Sequence, residues 1–173
     1  MLALVHLAIA TTALTLVVVA ALQDIRERLI ANRLSLLLLG LGVLHHMVTA
    51  ASVADWLAMT GGAFALSAIV FLLGFALWRL GSLGGGDVKL LVAATFFVGL
   101  DGVLVLLAGT ALAGGALAVA YLLGPAFPPV LAARFTGPDA PASSGHQRSL
   151  PYGVAIAAGL ACAVVPSLPI LIG

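Results

Sequence analysis

The run "ALVHLAIATTALTLVVVAAL", Ala3 to Leu22, is followed without a gap by "QDIRERLIANR", Gln23 to Arg33. A helix crossing the hydrocarbon core of a bilayer needs about 20 predominantly apolar residues, and residues 3–22 supply them. No basic segment precedes the run; the basic residues come after it. It therefore reads as a retained membrane span and not as a cleavable signal peptide. The rest of the chain has the same character. Of 173 residues, 63% are hydrophobic and 8% charged, with a mean hydropathy of +1.26. A soluble domain carries about 25% charged residues, so this chain cannot cover a water-facing surface. Further apolar runs occupy 34–51, 56–78, 88–100, 102–124 and 151–172. The expectation is an all-α, polytopic membrane bundle of six transmembrane helices, forming a single integral-membrane domain over residues 1–173.

The charges orient this bundle. Arg26, Arg28 and Arg33 lie between spans one and two, Arg79 and Lys89 flank the turn between spans three and four, and Arg134 and Arg148 lie between spans five and six. With six alternating spans these connections share one side, and they hold every Lys and Arg. The positive-inside rule makes that side cytoplasmic and puts both termini outside. The long connection, about 125–150, contains "GPDAPASSGHQRS" and reads as a mobile cytoplasmic loop. No basic stripe points to nucleic acid. Cys162 is the sole cysteine, which excludes an internal disulfide and a cysteine-based zinc cluster; within "GVAIAAGLACAVV" it reads as a buried apolar filler.

Six acidic residues remain to be placed. Asp55 and Asp101 fall at outer turns, where marking a helix boundary is role enough. Asp139 lies in the loop, and Glu27 sits among basic neighbours. Asp24 and Asp87 each touch the cytoplasmic end of a span, and ionisable groups close to the bilayer are functional candidates. Asp87 follows Gly84, Gly85 and Gly86, whose missing side chains let the backbone bend sharply and approach another peptide. A plain turn closed by an Asp helix cap is the alternative for "GGGD" alone. Asp87 and Asp101 are 14 residues apart, roughly 21 Å of helix, against about 30 Å of hydrocarbon. Asp87 is thus recessed below the headgroups, or the bilayer is thinned there.

Two nearby carboxylates do not both ionise cheaply and share a proton. One can then deprotonate a water while the other protonates the peptide oxygen or the departing amine. Such chemistry needs no metal and no cofactor. It also suits a chain with no H-E-x-x-H and no G-x-S-x-G. Span one would present its C-terminal end to Asp24 and span four its N-terminal end to Asp87, and these helix-end fields favour the proton on Asp24.

At these residues the chain resembles the type IV prepilin leader peptidases, polytopic aspartyl proteases marked by G-x-G-D. Gly84, Gly86 and Asp87 match that hallmark, followed by "VKLL". "QDIRERLIANRLS" resembles the family's first motif, with Asp24 at its first catalytic position and Ala31 where many relatives have Pro. "PYGVAIAAG", from Pro151, is similar to the opening of the last span. The resemblance covers nearly the whole chain, with the motifs in order. It implies removal of the leader of prepilin or pseudopilin precursors at the cytoplasmic face, just before their hydrophobic N-terminal helix, in the bacterial inner membrane. It also implies Asp24 and Asp87 as the catalytic dyad and Gly84–Gly86 as the active-site loop. The compact form is similar to the short peptidases of Flp-type (tight-adherence) pili. The large cytoplasmic domain with paired CxxC motifs is missing, so N-methylation of the trimmed pilin is not part of the expectation.

Lys89, Pro151 and Gly153 are candidate supporting residues. Lys89 would bias Asp87 or bind a lipid phosphate, or simply snorkel to the interface; Pro151 and Gly153 would open the last span near the active site, or merely start a helix. His45 and His46 are adjacent, unlike the i, i+4 spacing that lets two His share zinc, and with His6 they lie toward the outer face. Two other functions compete with the peptidase. A small proton-coupled transporter would hold its ionisable groups near the midplane, which here lacks Asp, Glu, Lys and Arg. A catalytically inactive pilus or secretion assembly factor would not need both aspartates. Nothing in the sequence sets an oligomeric state.

Overall fold

The computed structural model describes residues 1–27, 29–122 and 151–167. Five helices make up almost all of them: α1 Leu2–Glu27, α2 Asn32–Thr49, α3 Val53–Arg79, α4 Gly85–Leu122 and α5 Tyr152–Val164, the last running into a 3-10 turn, Val165–Ser167. The all-helical expectation therefore holds for the described residues. Three segments, Leu2–Glu27, Val53–Arg79 and Gly85–Ala120, are long and apolar enough to cross a membrane, and α5 is a shorter apolar helix. The expected loop at about 125–150, with Arg134, Asp139, His146 and Arg148, lies outside the described residues, as do Arg28 and the end of the expected span 151–172.

The helices run past the apolar windows because hydropathy ends before helix propensity does. α1 continues through Gln23 to Glu27, where Gln, Arg and Glu remain good helix formers. α3 begins with a reciprocal cap. Ser52 Oγ accepts the Asp55 N–H at 3.1 Å, and Asp55 Oδ2 accepts the Ala51 N–H at 3.0 Å. This arrangement satisfies two amides that a helix start leaves open. Asp55 thus marks a helix boundary, as its position suggests.

The two expected spans 88–100 and 102–124 share one element, α4, which is broken at Gly99 (φ +62°, ψ −156°). Packing partners reveal the path through the break. A methyl on Gly74 would meet Val88, and one on Gly62 would meet Leu100, so the first part of α4 runs antiparallel to α3. Ser67 Oγ reaches the Val92 carbonyl at 3.4 Å between these points. Beyond the break, Gly109 faces Gly159 and Cys162, and Gly114 faces Tyr152 and Ala155. The second part therefore runs antiparallel to α5, back toward the end where α4 began. At Gly99 the chain reverses.

His46 secures the reversal from α2: its buried ring Nε2 lies 2.9 Å from the Phe96 carbonyl, one of the last carbonyls before the break, which a helix end leaves without an amide. The backbone conformation of Gly99 is one that essentially only glycine adopts, and an added methyl would sit 3.2 Å from His46 Cε1. Gly99→Ala is expected to cost about 1–3 kcal/mol, read as a lower thermal unfolding midpoint in detergent; an unchanged midpoint would mean that the reversal tolerates ordinary backbone.

The core joins α1, α2, α4 and α5 through Ala13, Val17, Ala20, Leu38, Leu90, Ala93, Ala94, Leu106, Ile156 and Leu160. Small residues dominate the α1 contribution, which lets that helix approach its neighbours closely. Cys162 departs from expectation. It is exposed, although a methyl on Gly109 would lie 3.4 Å from its Cβ, because the buried face of α5 is carried by Gly153, Ala155, Ile156, Gly159, Leu160 and Val164.

Candidate active site

The end of the bundle opposite Gly99 gathers the C-termini of α1 and α3 with the N-termini of α2, α4 and α5. Asp24 lies in the last turn of α1 and Asp87 in the first turn of α4, and each is only 7% exposed. They lie close enough to act on each other's charge, although 63 positions separate them in the chain (87 − 24). Arg26, Arg33, Arg79 and Lys89 belong to the same helix ends.

Asp87 is not the N-cap residue: α4 begins at Gly85, two residues earlier, and the carboxylate turns inward and back to the start of the helix, as an acid at the third helical position does in a capping box. The Gly84 backbone amide bonds it, and a methyl on Gly84 would stand 2.7 Å from Oδ2. The other oxygen, Oδ1, is buried with no hydrogen-bond partner among the described residues. Gly86 is covered by Ile30, whose Cβ would lie 3.1 Å from an added methyl, and Gly85 sits beside the Trp78 indole nitrogen. Gly84 and Gly86 are thus needed for close approach, one to the carboxylate and one to the α1–α2 connection.

Asp24 is held from a direction that its own helix does not suggest. Its Oδ2 accepts the Gly153 N–H at 2.9 Å, an amide in the first turn of α5 that no intrahelical carbonyl reaches. Pro151 stands at the cap position of α5 (φ −73°) and is buried. A methyl on Gly153 would lie 3.1 Å from both Cβ and Oδ2 of Asp24 and 3.3 Å from the Ala21 Cα. The structure thus brings Gly153, in the helix that Pro151 caps, to Asp24. It also adds to the helix-end reasoning: the partly positive N-terminus of α5 faces Asp24 and offsets the partly negative end of α1 there, so the expected asymmetry between the aspartates narrows.

Lys89 does not point at Asp87. Its Nζ donates to Asn32 Oδ1 at 3.0 Å. Asn32 was absent from the candidates, and no spacing could have supplied it, since the two residues are 57 positions apart. At the other end His6, His45 and His46 gather, with ring centroids 6.0 Å and 5.8 Å apart. Among the described residues, no group of three or more His, Cys, Asp or Glu is placed to hold a metal ion.

Comparison with known proteins bears on the same region. The prepilin peptidase EppA of Methanothermobacter thermautotrophicus (strain Delta H) is 39% identical over 77 residues, covering 44% of this chain and 20% of the relative. The match thus spans about a fifth of that relative's length. No solved structure matches the chain. The model of the type IV leader peptidase family matches residues 11–119, a stretch that contains both Asp24 and Asp87 and stops short of α5. With well over half of its length matched and a membrane-suited helical bundle around the paired aspartates, the chain belongs to the type IV leader peptidase family.

Proposed function

We propose that this protein is a membrane-embedded aspartic endopeptidase that removes the leader of type IV prepilins of the Flp type, using Asp24 and Asp87. The observation that supports the reading most is that both carboxylates are buried at the same end of the bundle, within reach of each other's charge. In this reading the chain is one peptidase domain of six spans, counting the two parts of α4 separately. Both termini lie outside, the Arg- and Lys-bearing end faces the cytoplasm, and the membrane is the bacterial inner membrane.

The chemistry follows from the pair. Asp24 and Asp87 hold one proton between them. The ionised carboxylate takes a proton from water as the water oxygen bonds to the scissile carbonyl carbon, while the protonated carboxyl donates to the carbonyl oxygen. Collapse of the tetrahedral intermediate breaks the C–N bond, and the amine leaves with a proton from the pair. Gly153 N–H fixes the orientation of Asp24, whereas Asp87 Oδ1 keeps an oxygen uncommitted for the substrate or the water. Gly84, exposed and without a side chain, leaves room for an extended peptide beside Asp87, while Ile30 covers Gly86. The substrate is a precursor whose leader is followed by a hydrophobic helix that rests in the bilayer.

Co-expression with an Flp-type prepilin tests the reading. Leader removal, seen as a mobility shift on a gel and as a new N-terminus by mass spectrometry, is the expected result. Uncut precursor, repeated with several pilins, would instead favour an assembly factor without catalytic activity.

A further inference from the structure

We propose that Asn32 and Lys89 are positioning residues whose hydrogen bond clamps the α1–α2 connection onto the first turn of α4 and so sets the spacing of Asp24 and Asp87. This rests on the peptidase reading for its kinetic consequence, but the geometry stands by itself. The connection is pinned at two points that bracket Asp87 in sequence. On one side Ile30 lies over Gly86; on the other Lys89 Nζ donates to Asn32 Oδ1 at 3.0 Å.

The choice of partners is informative. Residues two apart on a helix are about 200° apart around its axis, so Lys89 and Asp87 leave α4 on nearly opposite sides. The ammonium is therefore directed to a neutral amide and not to the carboxylate beside it in sequence. Asn32 is also diverted from its usual work. Asn at a helix start commonly bonds its own backbone, but here the cap position is Ala31, which supplies no side-chain bond, and the Asn32 oxygen reaches across to α4. Only a short connection separates Glu27, the last residue of α1, from Asn32, the first of α2. Fixing Asn32 against α4 thus limits how far the end of α1, with Asp24, can stand from Asp87. Acid–base catalysis at a shared water is sensitive to that distance, since a displacement of about 1 Å can cost on the order of a hundredfold in rate.

Two arms test the clamp. In membranes containing the full chain and a prepilin, Lys89→Met and Asn32→Leu are each expected to lower kcat by about tenfold or more with KM close to the parent value. The double variant should be no worse than either single, because both remove one interaction. Exchanging the partners, Asn32→Lys with Lys89→Asn, should restore most of the rate. In the second arm, Asp24→Cys and Asp87→Cys are combined in a Cys162→Ser chain and bridged with a short bis-methanethiosulfonate, which joins the two thiols and releases two sulfinates. Adding Asn32→Leu is expected to reduce the bridged fraction severalfold.

The proposal is overturned if the bridged fraction does not change, if the two losses simply multiply, or if KM alone rises. If the parent cuts no pilin, the peptidase reading fails, and the bridging arm alone decides whether the clamp sets the spacing.

Discussion

Asp87→Asn is expected to abolish leader removal, with a loss of about a thousandfold or more, and Asp24→Asn to do the same. Asn nearly preserves the shape of Asp but can neither carry the charge nor exchange the proton. General acid–base groups typically contribute on the order of 10²–10⁴ in rate, and a thousandfold loss corresponds to roughly 4 kcal/mol of barrier. Neither variant should disturb the fold. Asp24 also receives the Gly153 N–H, and an Asn oxygen can still accept it, so α5 should remain docked. Asp87 accepts the Gly84 amide, which an Asn oxygen can also do, and its Oδ1 has no partner among the described residues to lose. Both variants should therefore elute and unfold like the parent in detergent. Because the pair acts as a unit, the double variant should be no slower than either single one. Measurable cleavage by either folded variant would remove that aspartate from the chemistry.

The second large effect concerns stability. Gly159→Ala is expected to destabilise the fold by about 3 kcal/mol, the upper end of what overpacking costs. A methyl there would stand 2.5 Å from the Leu106 carbonyl oxygen and 2.8 Å from the Thr110 nitrogen, and closer still to Thr110 Oγ1. Two of these three obstacles are backbone of α4, which cannot rotate out of the way. Gly109 on the facing helix would bring its own methyl 2.9 Å from the Gly159 Cα. Gly115→Ala makes the contrast, because nothing lies within 4 Å of a methyl at that position. There the substitution should be neutral or stabilising by about 0.5–1 kcal/mol, since Ala loses less freedom than Gly in a helix. Thermal unfolding in one detergent would compare them; equal midpoints would mean that α4 and α5 are not packed as described. Gly159→Ala should also depress cleavage, because α5 carries the amide that holds Asp24.

The sequence makes the helices legible and leaves their meeting points obscure. Apolar runs locate α1, α2 and α3 to within a few residues, because burial in lipid demands length and hydropathy that nothing else supplies. The break in α4 was legible in part. Asp101 falls between two apolar runs and reads as an outer turn, but the residue that turns, Gly99, is one glycine among 20, and only its non-helical backbone inside α4 singles it out. The carboxylates could be nominated from their places at helix ends. Gly153 and Lys89 could be nominated beside them, but not their bonds, since Gly153 donates to Asp24 across 129 positions and Lys89 donates to Asn32 across 57. Contacts between distant segments carry no periodic signature, and an amide donor leaves no trace in residue type. The same limit explains Cys162: an almost wholly apolar helix does not declare which of its faces is turned inward.

The glycine contact between α4 and α5 has a consequence for traffic within the plane of the bilayer. At Gly109 and Gly159 the two backbones touch, and at Gly114 the side chains of Ala155 and Tyr152 fill the space, so that an acyl chain cannot wedge between the helices. That flank is a wall. Any guest arriving sideways at the paired acids must pass a different border of the bundle, and it must do so without prising apart the helix whose tip steadies one of them.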